Sequence, residues 1–446
     1  MRVSATATLR TTTATVENGS RLSWFVVAAI STAIFGPYIV GGVRTEQICV
    51  YGLALLLPFT WNRLQVRGGT KILLLWTLYI VVAVLGVVFP VTVAAKWGSG
   101  SVLAGLDNII LPLMLMLLIW SIVPPQRAES LLQTASRIIS LIMAANGALA
   151  IISTRVDITK ILRPFWTAGN EMTSVAQNAS TMGRYCGILN QPVEAGTLYG
   201  FAAIAAIYVW RRRPLRLAIV LSLIILGGLI SVSKIFVLGA LPLMIFYWVW
   251  SLRGSRRLGL VLGGALFVFG ALQSALFNQW SGFSYLERLF KPVNLYSAIE
   301  LYTAGRLGSD SGISQVVKEV LSINPLSGVG AGGWLIPYDG AVTEALVVGG
   351  VAGLALYGAI IVGVFVLARS IVERNLRMLA TLFGLLLICG SLGFSPLTAN
   401  RVSSAAWLII SLLVLCSDND QDLLQDATLP EGHVDEPLTL DGRDTT

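Results

Sequence analysis

Charged residues are scarce in this sequence, and histidine is almost absent. Charged side chains make up 12% of the 446 residues, whereas a soluble domain carries about 25%. The single histidine, His433, lies in a polar C-terminal segment. This position excludes a Ser-His-Asp triad, a Cys-His pair and a histidine-bound metal from the apolar body of the chain. Acid–base chemistry in that body must therefore use carboxylates, tyrosine or lysine.

Cysteine is also sparse and occurs without pairing patterns. The four cysteines show no CxxC spacing, which predicts neither a disulfide framework nor a zinc site. They are Cys49, Cys186, Cys389 and Cys416.

Long apolar runs dominate the rest of the chain, since 55% of the residues are hydrophobic. A bilayer core of about 30 Å needs about 20 apolar residues per helix, and the runs are too continuous for barrel strands. The sequence predicts an all-α polytopic membrane protein with about twelve transmembrane helices, within a range of roughly 10 to 13. The runs lie near 24–43, 47–61, 72–90, 103–123, 137–153, 185–210, 217–233, 235–252, 258–277, 341–368, 378–394 and 402–416.

The distribution of lysine and arginine predicts the orientation. The formal net charge is +8, but most cations lie in short segments between apolar runs, as the positive-inside rule requires. Nucleic-acid binding is therefore not expected, and both termini are predicted to be cytoplasmic. The predicted segments are an N-terminal disordered tail (1–23), nine helices (24–277), an extracytoplasmic loop (278–340), three helices (341–416) and an acidic disordered tail (417–446).

The loop 278–340 is predicted to contain a short amphipathic helix. Apolar residues from Ile313 to Leu321 recur at the spacing of one helical face. The segment Ser309–Ser311 precedes them as a cap, and Asn324-Pro325 ends the helix. Such a helix would lie on the outer membrane surface, where it could pack against the bundle or contact a substrate.

A glycine-rich turn, Gly328 to Gly333, follows that helix. Backbone N–H groups in such a turn can cradle phosphates, and the same composition suits a tight chain reversal. No P-loop Lys-Ser/Thr follows the turn, so a nucleotide site is not indicated.

Three motifs occur in order along the chain. The first is the stretch Arg184–Pro192, the second is the hairpin Ser231–Lys234, and the third combines Gly305-Arg306, Asn324–Gly330 and Gly350–Gly353. Together they resemble motifs of the bacterial O-antigen ligase and O-antigen polymerase family, in which the first reads Arg-x-x-Gly-x-x-x-x-Pro and the hairpin usually has Arg where this sequence has Lys234. The resemblance implies a GT-C-like fold in the bacterial plasma membrane.

The resemblance also implies a substrate, namely a glycan carried on a polyprenyl pyrophosphate. Cationic side chains predicted at the outer face would bind the pyrophosphate; they are Arg184, Lys234, Arg306 and Arg401. Arg306 would also take part in catalysis, and Asp339 is the first candidate for the base that receives the acceptor's proton. Glu194 and Glu344 are alternative bases. No metal or other cofactor is expected, because arginines can balance the leaving group.

One departure from the family concerns Asp339 and Gly340, which stand where its ligases carry a His-Asn pair. This difference favours a polymerase slightly over a ligase. Expected partners besides the lipid-linked glycan and membrane lipid are other polysaccharide-assembly proteins, such as a flippase or a chain-length regulator.

Structural alternatives remain open for each candidate residue. Glu194 could form a salt bridge with Arg184, and cations at the outer face could anchor to lipid headgroups or snorkel to the interface. At the level of the whole chain, a transporter or flippase of lipid-linked glycans is the main alternative to an enzyme, and a non-catalytic scaffold is a third possibility.

Overall fold

The computed structural model describes residues 21–39, 42–64, 68–90, 101–167, 174–251, 263, 270, 280–290, 312–333 and 340–428. Within these ranges the protein is helical and contains no β-strand. An isolated antiparallel bridge between Tyr38 and Arg44 joins two irregular segments.

The helices are numbered in chain order. They are α1 Arg21–Ala33, α2 Thr45–Ala54, α3 Leu57–Thr60, α4 Thr70–Val88, α5 Val102–Ile122, α6 Pro125–Ser153, α7 Thr159–Trp166, α8 Val175–Thr181, α9 Pro192–Trp210, α10 Pro214–Ile230, α11 Leu241–Ser251, α12 Phe283–Phe290, α13 Gly312–Ile323, α14 Ala341–Ser370, α15 Arg374–Ser391 and α16 Asn400–Thr428. A π-helical turn, Ile235–Ala240, leads into α11.

Six of the described helices are long and apolar enough to cross a membrane. They are α4, α5, α6, α9, α14 and the Arg401–Asp418 part of α16. Shorter apolar helices cover Arg21–Ala33, Pro214–Ile230 and Ile235–Trp248. The prediction of an all-α multi-pass membrane protein is confirmed. The apolar run 258–277 lies almost entirely outside the described residues, and the count of twelve spans stays a prediction.

The centre of the bundle is formed by α16 and α9. The spanning window of α16 is 100% buried and that of α9 is 89% buried, whereas that of α4 is only 28% buried. Trp407 on α16 packs against Trp76 on α4 with ring centroids 4.6 Å apart. The indole of Trp120 on α5 donates to the carbonyl of Ser411 at 3.1 Å. Aromatic contacts and indole hydrogen bonds therefore join peripheral helices to a buried central one.

The first predicted span is shorter than the apolar run 24–43. Helix α1 ends at Ala33, because Gly36-Pro37 interrupts the backbone and proline has no N–H to donate. The following chain turns back and pairs elsewhere: the N–H of Tyr38 donates to the carbonyl of Pro164 at 2.8 Å. Similarly, the apolar run 185–210 becomes helical only at Pro192.

Helix α14 is interrupted within the predicted span 341–368. Gly350 adopts φ 60° and ψ −154°, a backbone conformation outside the helical region. The N–H groups of Val351 and Ala352 donate instead to the carbonyls of Pro325 and Leu326, at 2.8 and 3.1 Å. A loop segment thus supplies hydrogen-bond acceptors at the break, as a broken helix in a membrane requires.

The predicted amphipathic helix is confirmed as α13, which ends at Ile323 directly before Asn324-Pro325. Its buried residues Val316 and Val320 form an apolar cluster with Val347 of α14. The predicted cap at Ser309–Ser311 lies outside the described residues. The buried face of α13 therefore packs against the bundle, which is one of the two roles expected for this helix.

The predicted tails need correction at their inner boundaries. Helix α16 continues to Thr428, so residues 417–428 are helical and not a disordered tail. The Asp418 carboxylate accepts a hydrogen bond from the N–H of Gly68 at 2.7 Å. At the other terminus, helix α1 begins at Arg21, within the predicted tail 1–23.

Candidate functional site at the outer end of the bundle

The candidate site residues that the structure describes lie at one end of the bundle. This end, called the outer end because the charge pattern predicts it to be extracytoplasmic, contains residues 34–39, 42–46, 153–167, 174–192, 231–235, 340–344 and 391–401. Side-chain hydrogen bonds connect these segments to one another. Asp339 and Arg306, the first two catalytic candidates, lie outside the described residues.

Arg184 and the hairpin Ser231–Lys234, two of the family-like motifs, are in direct contact. The Arg184 Nη2 donates to the carbonyl of Val232 at 3.3 Å. The N–H of Tyr185 donates to the carbonyl of Ile230 at 3.3 Å. Val232 has a φ of 48°, which is rare for a β-branched residue and costs roughly 1–3 kcal/mol. Surrounding contacts therefore hold the hairpin in a strained conformation that presents a carbonyl to Arg184.

Gly187, the glycine of the first motif, is required by local geometry. It has a φ of 62°, and a Cβ atom there would lie 1.9 Å from Asn146 Oδ1. Asn146, buried on α6, donates to the Cys186 carbonyl at 3.1 Å and accepts from the N–H of Ile188 at 2.7 Å. The indole of Trp166 donates to the Gly187 carbonyl at 2.8 Å. The backbone around Gly187 is thereby fixed to both α6 and α7.

The charge of Arg184 is not neutralised by a carboxylate among the described residues. Its Nε is buried without a hydrogen-bond partner, and Nη2 donates only to the Val232 carbonyl. Burial lowers the pKa of the Arg184 guanidinium. A partly buried cation with unused donors would be stabilised by an anion, so Arg184 is the described residue best suited to hold a phosphate.

Arg401 joins three segments of the outer end. It is 2% exposed and donates to the carbonyls of Ile188 at 2.9 Å, Gly36 at 2.8 Å and Phe165 at 3.0 Å. The guanidinium also lies over the Tyr38 ring, 5.6 Å from its centroid. These contacts give Arg401 a structural function, and its predicted contact with pyrophosphate stays a prediction.

Glu194 is buried in the first turn of α9, with 3% of its surface exposed. Its Oε2 accepts from the backbone N–H of Asn190 at 3.2 Å, and it does not pair with Arg184, the alternative left open by the sequence. Glu46 lies within electrostatic range of it, and Glu194 and Arg401 both lie within electrostatic range of Tyr38. Among the described residues, Glu194 forms no salt bridge.

Sequence reasoning missed a second group of charges at the same end, around Asp107. The Asp107 carboxylate accepts from Arg44 at 3.3 Å, from Tyr51 Oη at 2.7 Å and from the Gln47 amide. Arg44 also pairs with Glu46 at 3.3 Å. Asp107 lies inside the apolar run 103–123, and the argument that singled out Glu194 as an intramembrane carboxylate could have found it.

Glu344, the alternative base on α14, is 7% exposed and accepts a hydrogen bond from Thr398 Oγ1. Thr398 stands three residues before Arg401, so this contact links the start of α14 to the Arg401 segment. Lys234 is half-buried at the end of the hairpin, next to the π-helical turn. The structure therefore places Arg184, Lys234, Glu194, Arg401 and Glu344 in connected segments.

The glycine-rich turn packs inside the bundle. A Cβ atom on Gly330 would lie 2.5 Å from the backbone of Gly86 on α4, and Gly330 has a φ of 77°. The N–H of Val329 donates to the carbonyl of Val347 at 2.8 Å. The glycines serve close packing against α4 and α14, which supports the tight chain reversal over the phosphate cradle.

A cavity of about 450 Å³ with both polar and apolar lining lies between α7, α8 and the end of α6, where Tyr185 to Gly187 of the Arg184 motif contribute to it. Exposed Asp157 and Thr181 lie on its lining, and half-buried Gln177 contributes a side-chain amide without a hydrogen-bond partner among the described residues. Trp166 and Tyr185 add aromatic surface. This size is in the range of small-molecule sites. Planar polar groups together with aromatic rings suit a polyhydroxylated ligand, whose hydroxyls bond laterally while its C–H face stacks.

No cluster of three or more His, Cys, Asp or Glu side chains that could hold a metal occurs in the part of the chain that the structure describes. No family model matches the sequence, and no curated protein matches it.

Proposed function

We propose that the protein is a glycosyltransferase that joins saccharides carried on polyprenyl pyrophosphate at the extracytoplasmic face of the bacterial plasma membrane. The observation that carries the proposal is Arg184, a partly buried guanidinium without a described carboxylate partner, whose sequence neighbours Tyr185 to Gly187 line a cavity. The resemblance of Arg184–Pro192, Ser231–Lys234 and the third motif to the O-antigen ligase and polymerase family supports it independently.

The proposed reaction has a defined balance of atoms and charge. An acceptor hydroxyl oxygen attacks the anomeric carbon of the donor sugar, and the bond from that carbon to the pyrophosphate oxygen breaks. The electron pair leaves with polyprenyl pyrophosphate, where negative charge develops. Arg184 is positioned to stabilise that charge, because guanidinium remains protonated and can bind two phosphate oxygens. No metal is required for this balance.

The hydroxyl proton needs an acceptor, and three carboxylates are candidates. Asp339 remains the first, followed by Glu194 and Glu344, which are both buried at the outer end. The cavity beside Tyr185 offers space for a sugar unit next to the Arg184 motif. Asp339 in place of the ligase histidine favours the polymerase branch, in which both donor and acceptor carry a lipid.

The test is the glycan profile of a deletion strain complemented with variants. Polymerase loss should leave single repeat units, ligase loss should leave lipid-linked polymer, and flippase loss should trap intermediates inside. We expect Arg184→Ala to reduce product about a hundredfold or more, with unchanged membrane insertion. Arg212→Ala is the matched control, since Arg212 is exposed between α9 and α10 at the opposite end. Unchanged surface glycans in the deletion strain would refute the proposal.

A transporter of lipid-linked glycans is the second candidate, favoured by two specific observations. Helix α14 is broken at Gly350, and transporters commonly use broken helices at their binding sites. Charged side chains of Arg44, Glu46 and Asp107 are clustered at the outer end, and buried charges in membranes often mark transport pathways. Inward-trapped intermediates in the deletion strain would support this candidate.

A further inference from the structure

A second cavity lies between α1 and α6, at the end of the bundle opposite the candidate site. Its volume is about 710 Å³. The charge pattern predicts this end to be cytoplasmic. Its lining includes Arg21, Trp24, Phe25, Arg127, Thr134 and Arg137.

The lining residues of α6 form a single helical face. Arg127, Thr134 and Arg137 follow one another at separations of seven and three residues, which places them on one side of a helix. Helix α6 has 29 residues, whereas about 20 cross the hydrocarbon core. Its first turns can therefore extend into the headgroup region, and the cationic face lies at that depth.

The cavity is strongly cationic. Its described lining contains three arginines and no carboxylate. The half-buried Arg127 makes no side-chain hydrogen bond to the described residues, and Arg137 donates to Gln133 at 3.3 Å. Glu129, the acidic residue on this part of α6, accepts from Tyr208 on α9 and from Gln133, both at 3.2 Å. The Glu129 carboxylate thus accepts from Tyr208, which lies outside the cavity lining, and from Gln133, and Arg127 and Arg137 have room for an external anion.

Aromatic side chains occupy the α1 side of the cavity. Trp24 and Phe25 are 55% and 56% exposed. Aromatic residues of this kind favour the boundary between headgroups and acyl chains. A soluble anion would gain nothing from them, whereas a phospholipid would place its phosphate on the arginines and its glycerol and first acyl carbons on the rings.

We propose that this cavity binds the headgroup of an anionic phospholipid, with the phosphodiester held by Arg127 and Arg137. Basic pockets between transmembrane helices on the cytoplasmic side are a known physical solution for such lipids. The proposal is independent of the function of the outer end. It identifies a lipid site, beyond the general attraction of basic loops to an anionic membrane surface.

The experiment titrates single lipids onto the full-length protein in neutral detergent micelles and measures bound lipid by native mass spectrometry. Neutral micelles remove the bilayer surface potential that would attract every basic segment. Phosphatidylglycerol should bind to the wild type, and phosphatidylcholine should bind at least tenfold more weakly. The double variant Arg127→Gln/Arg137→Gln should bind phosphatidylglycerol at least tenfold more weakly, because two charge-assisted contacts with the phosphodiester are lost.

The matched control is Arg212→Gln/Arg213→Gln, which removes two exposed arginines from the connection between α9 and α10. This variant should change binding by less than about threefold, because only long-range charge is altered. Equal losses in the two double variants would overturn the proposal, since they would indicate non-specific attraction. Equal binding of phosphatidylglycerol and phosphatidylcholine would overturn it as well.

Two further measurements distinguish loss of binding from loss of folding, and a phospholipid from a free phosphate as the ligand. If the double variant does not fold, Arg137→Gln alone is used, because Arg137 is exposed and its loss spares the packing; phosphatidylglycerol affinity should still fall several-fold. Inorganic phosphate is added as competitor at the same concentration as the lipid. Displacement of the lipid by phosphate at equal concentration would show an anion site without lipid specificity and would contradict the proposal.

Discussion

At the outer end, two glycines leave space for polar side chains that approach the backbone closely. Gly187 allows Asn146 to reach the backbone on either side of it, at Cys186 and Ile188. Gly196 likewise gives space to Ser233 of the hairpin, because a Cβ there would lie 1.9 Å from Ser233 Oγ. The position of the Arg184 motif relative to the hairpin thus depends on Gly187 and Gly196, because any side chain at these positions would collide with Asn146 or Ser233.

Gly187→Ala should destabilise the protein by about 2 kcal/mol or more, because the added Cβ combines positive-φ strain with a clash. Thermal unfolding in detergent measures the effect. Gly358→Ala is the control: Gly358 lies inside α14, and a Cβ there meets no atom within 4 Å. This control should be neutral or stabilising by up to about 1 kcal/mol. Equal unfolding temperatures for the Gly187→Ala variant and the wild type would contradict the described geometry.

The sequence was informative about which cations lie at the outer end and less so about their partners. Arg184 and Ser231–Lys234 were expected on one face, and they are in contact. Arg401 was expected to face a ligand, but its donors reach three backbone carbonyls that lie far away in sequence. Residue type alone cannot show whether an arginine binds a ligand or backbone carbonyls, because every residue has a backbone carbonyl and the sequence does not show which of them lie nearby.

At the scale of elements, the break in α14 depends on the loop that follows α13. The segment Asn324–Gly333 turns back into the bundle, and Pro325 and Leu326 supply acceptors for the freed N–H groups of α14. Hydropathy predicts 341–368 as one continuous span, since it registers apolar character and not backbone direction. The end of α13 at Asn324-Pro325 was predictable because proline has a strong local effect.

Gly350→Ala should release this loop from α14. The residue has φ 60° and ψ −154°, a region populated essentially by glycine, and a Cβ would lie 2.5 Å from the Leu326 carbonyl carbon. We expect faster limited proteolysis within residues 312–333 than in the wild type, by about tenfold or more, as the local opening free energy falls by more than about 1.4 kcal/mol.

Gly363→Ala in the same helix is the matched control, because its Cβ would make an ordinary contact of 3.5 Å with Ile72. It should leave the proteolysis rate unchanged. If both variants are cleaved at the wild-type rate, the loop is not held by the break in α14.

At the scale of the whole molecule, the two ends of the bundle differ in chemistry. The outer end collects buried and partly buried charges, among them Arg184, and a cavity with mixed polar and apolar lining. The opposite end carries exposed arginines and a basic cavity with aromatic residues. The fully buried window of α16 runs between them and bears Arg401 at one end and Asp418 at the other. This difference between the two ends matches the two proposals, glycosyl transfer at the outer end and binding of an anionic phospholipid at the opposite end.

The most direct test of the proposed glycosyl transfer is an assay in detergent micelles, which have no second side. Purified full-length protein is mixed with lipid-linked glycan extracted from the deletion strain, and released polyprenyl pyrophosphate is measured. The wild type should release one polyprenyl pyrophosphate per new glycosidic bond. Arg184→Ala should be slower by about a hundredfold or more, and Arg212→Ala should match the wild type. Unchanged substrate with the wild-type protein, under conditions that preserve its fold, would contradict the favoured polymerase reaction, in which lipid-linked glycan is both donor and acceptor.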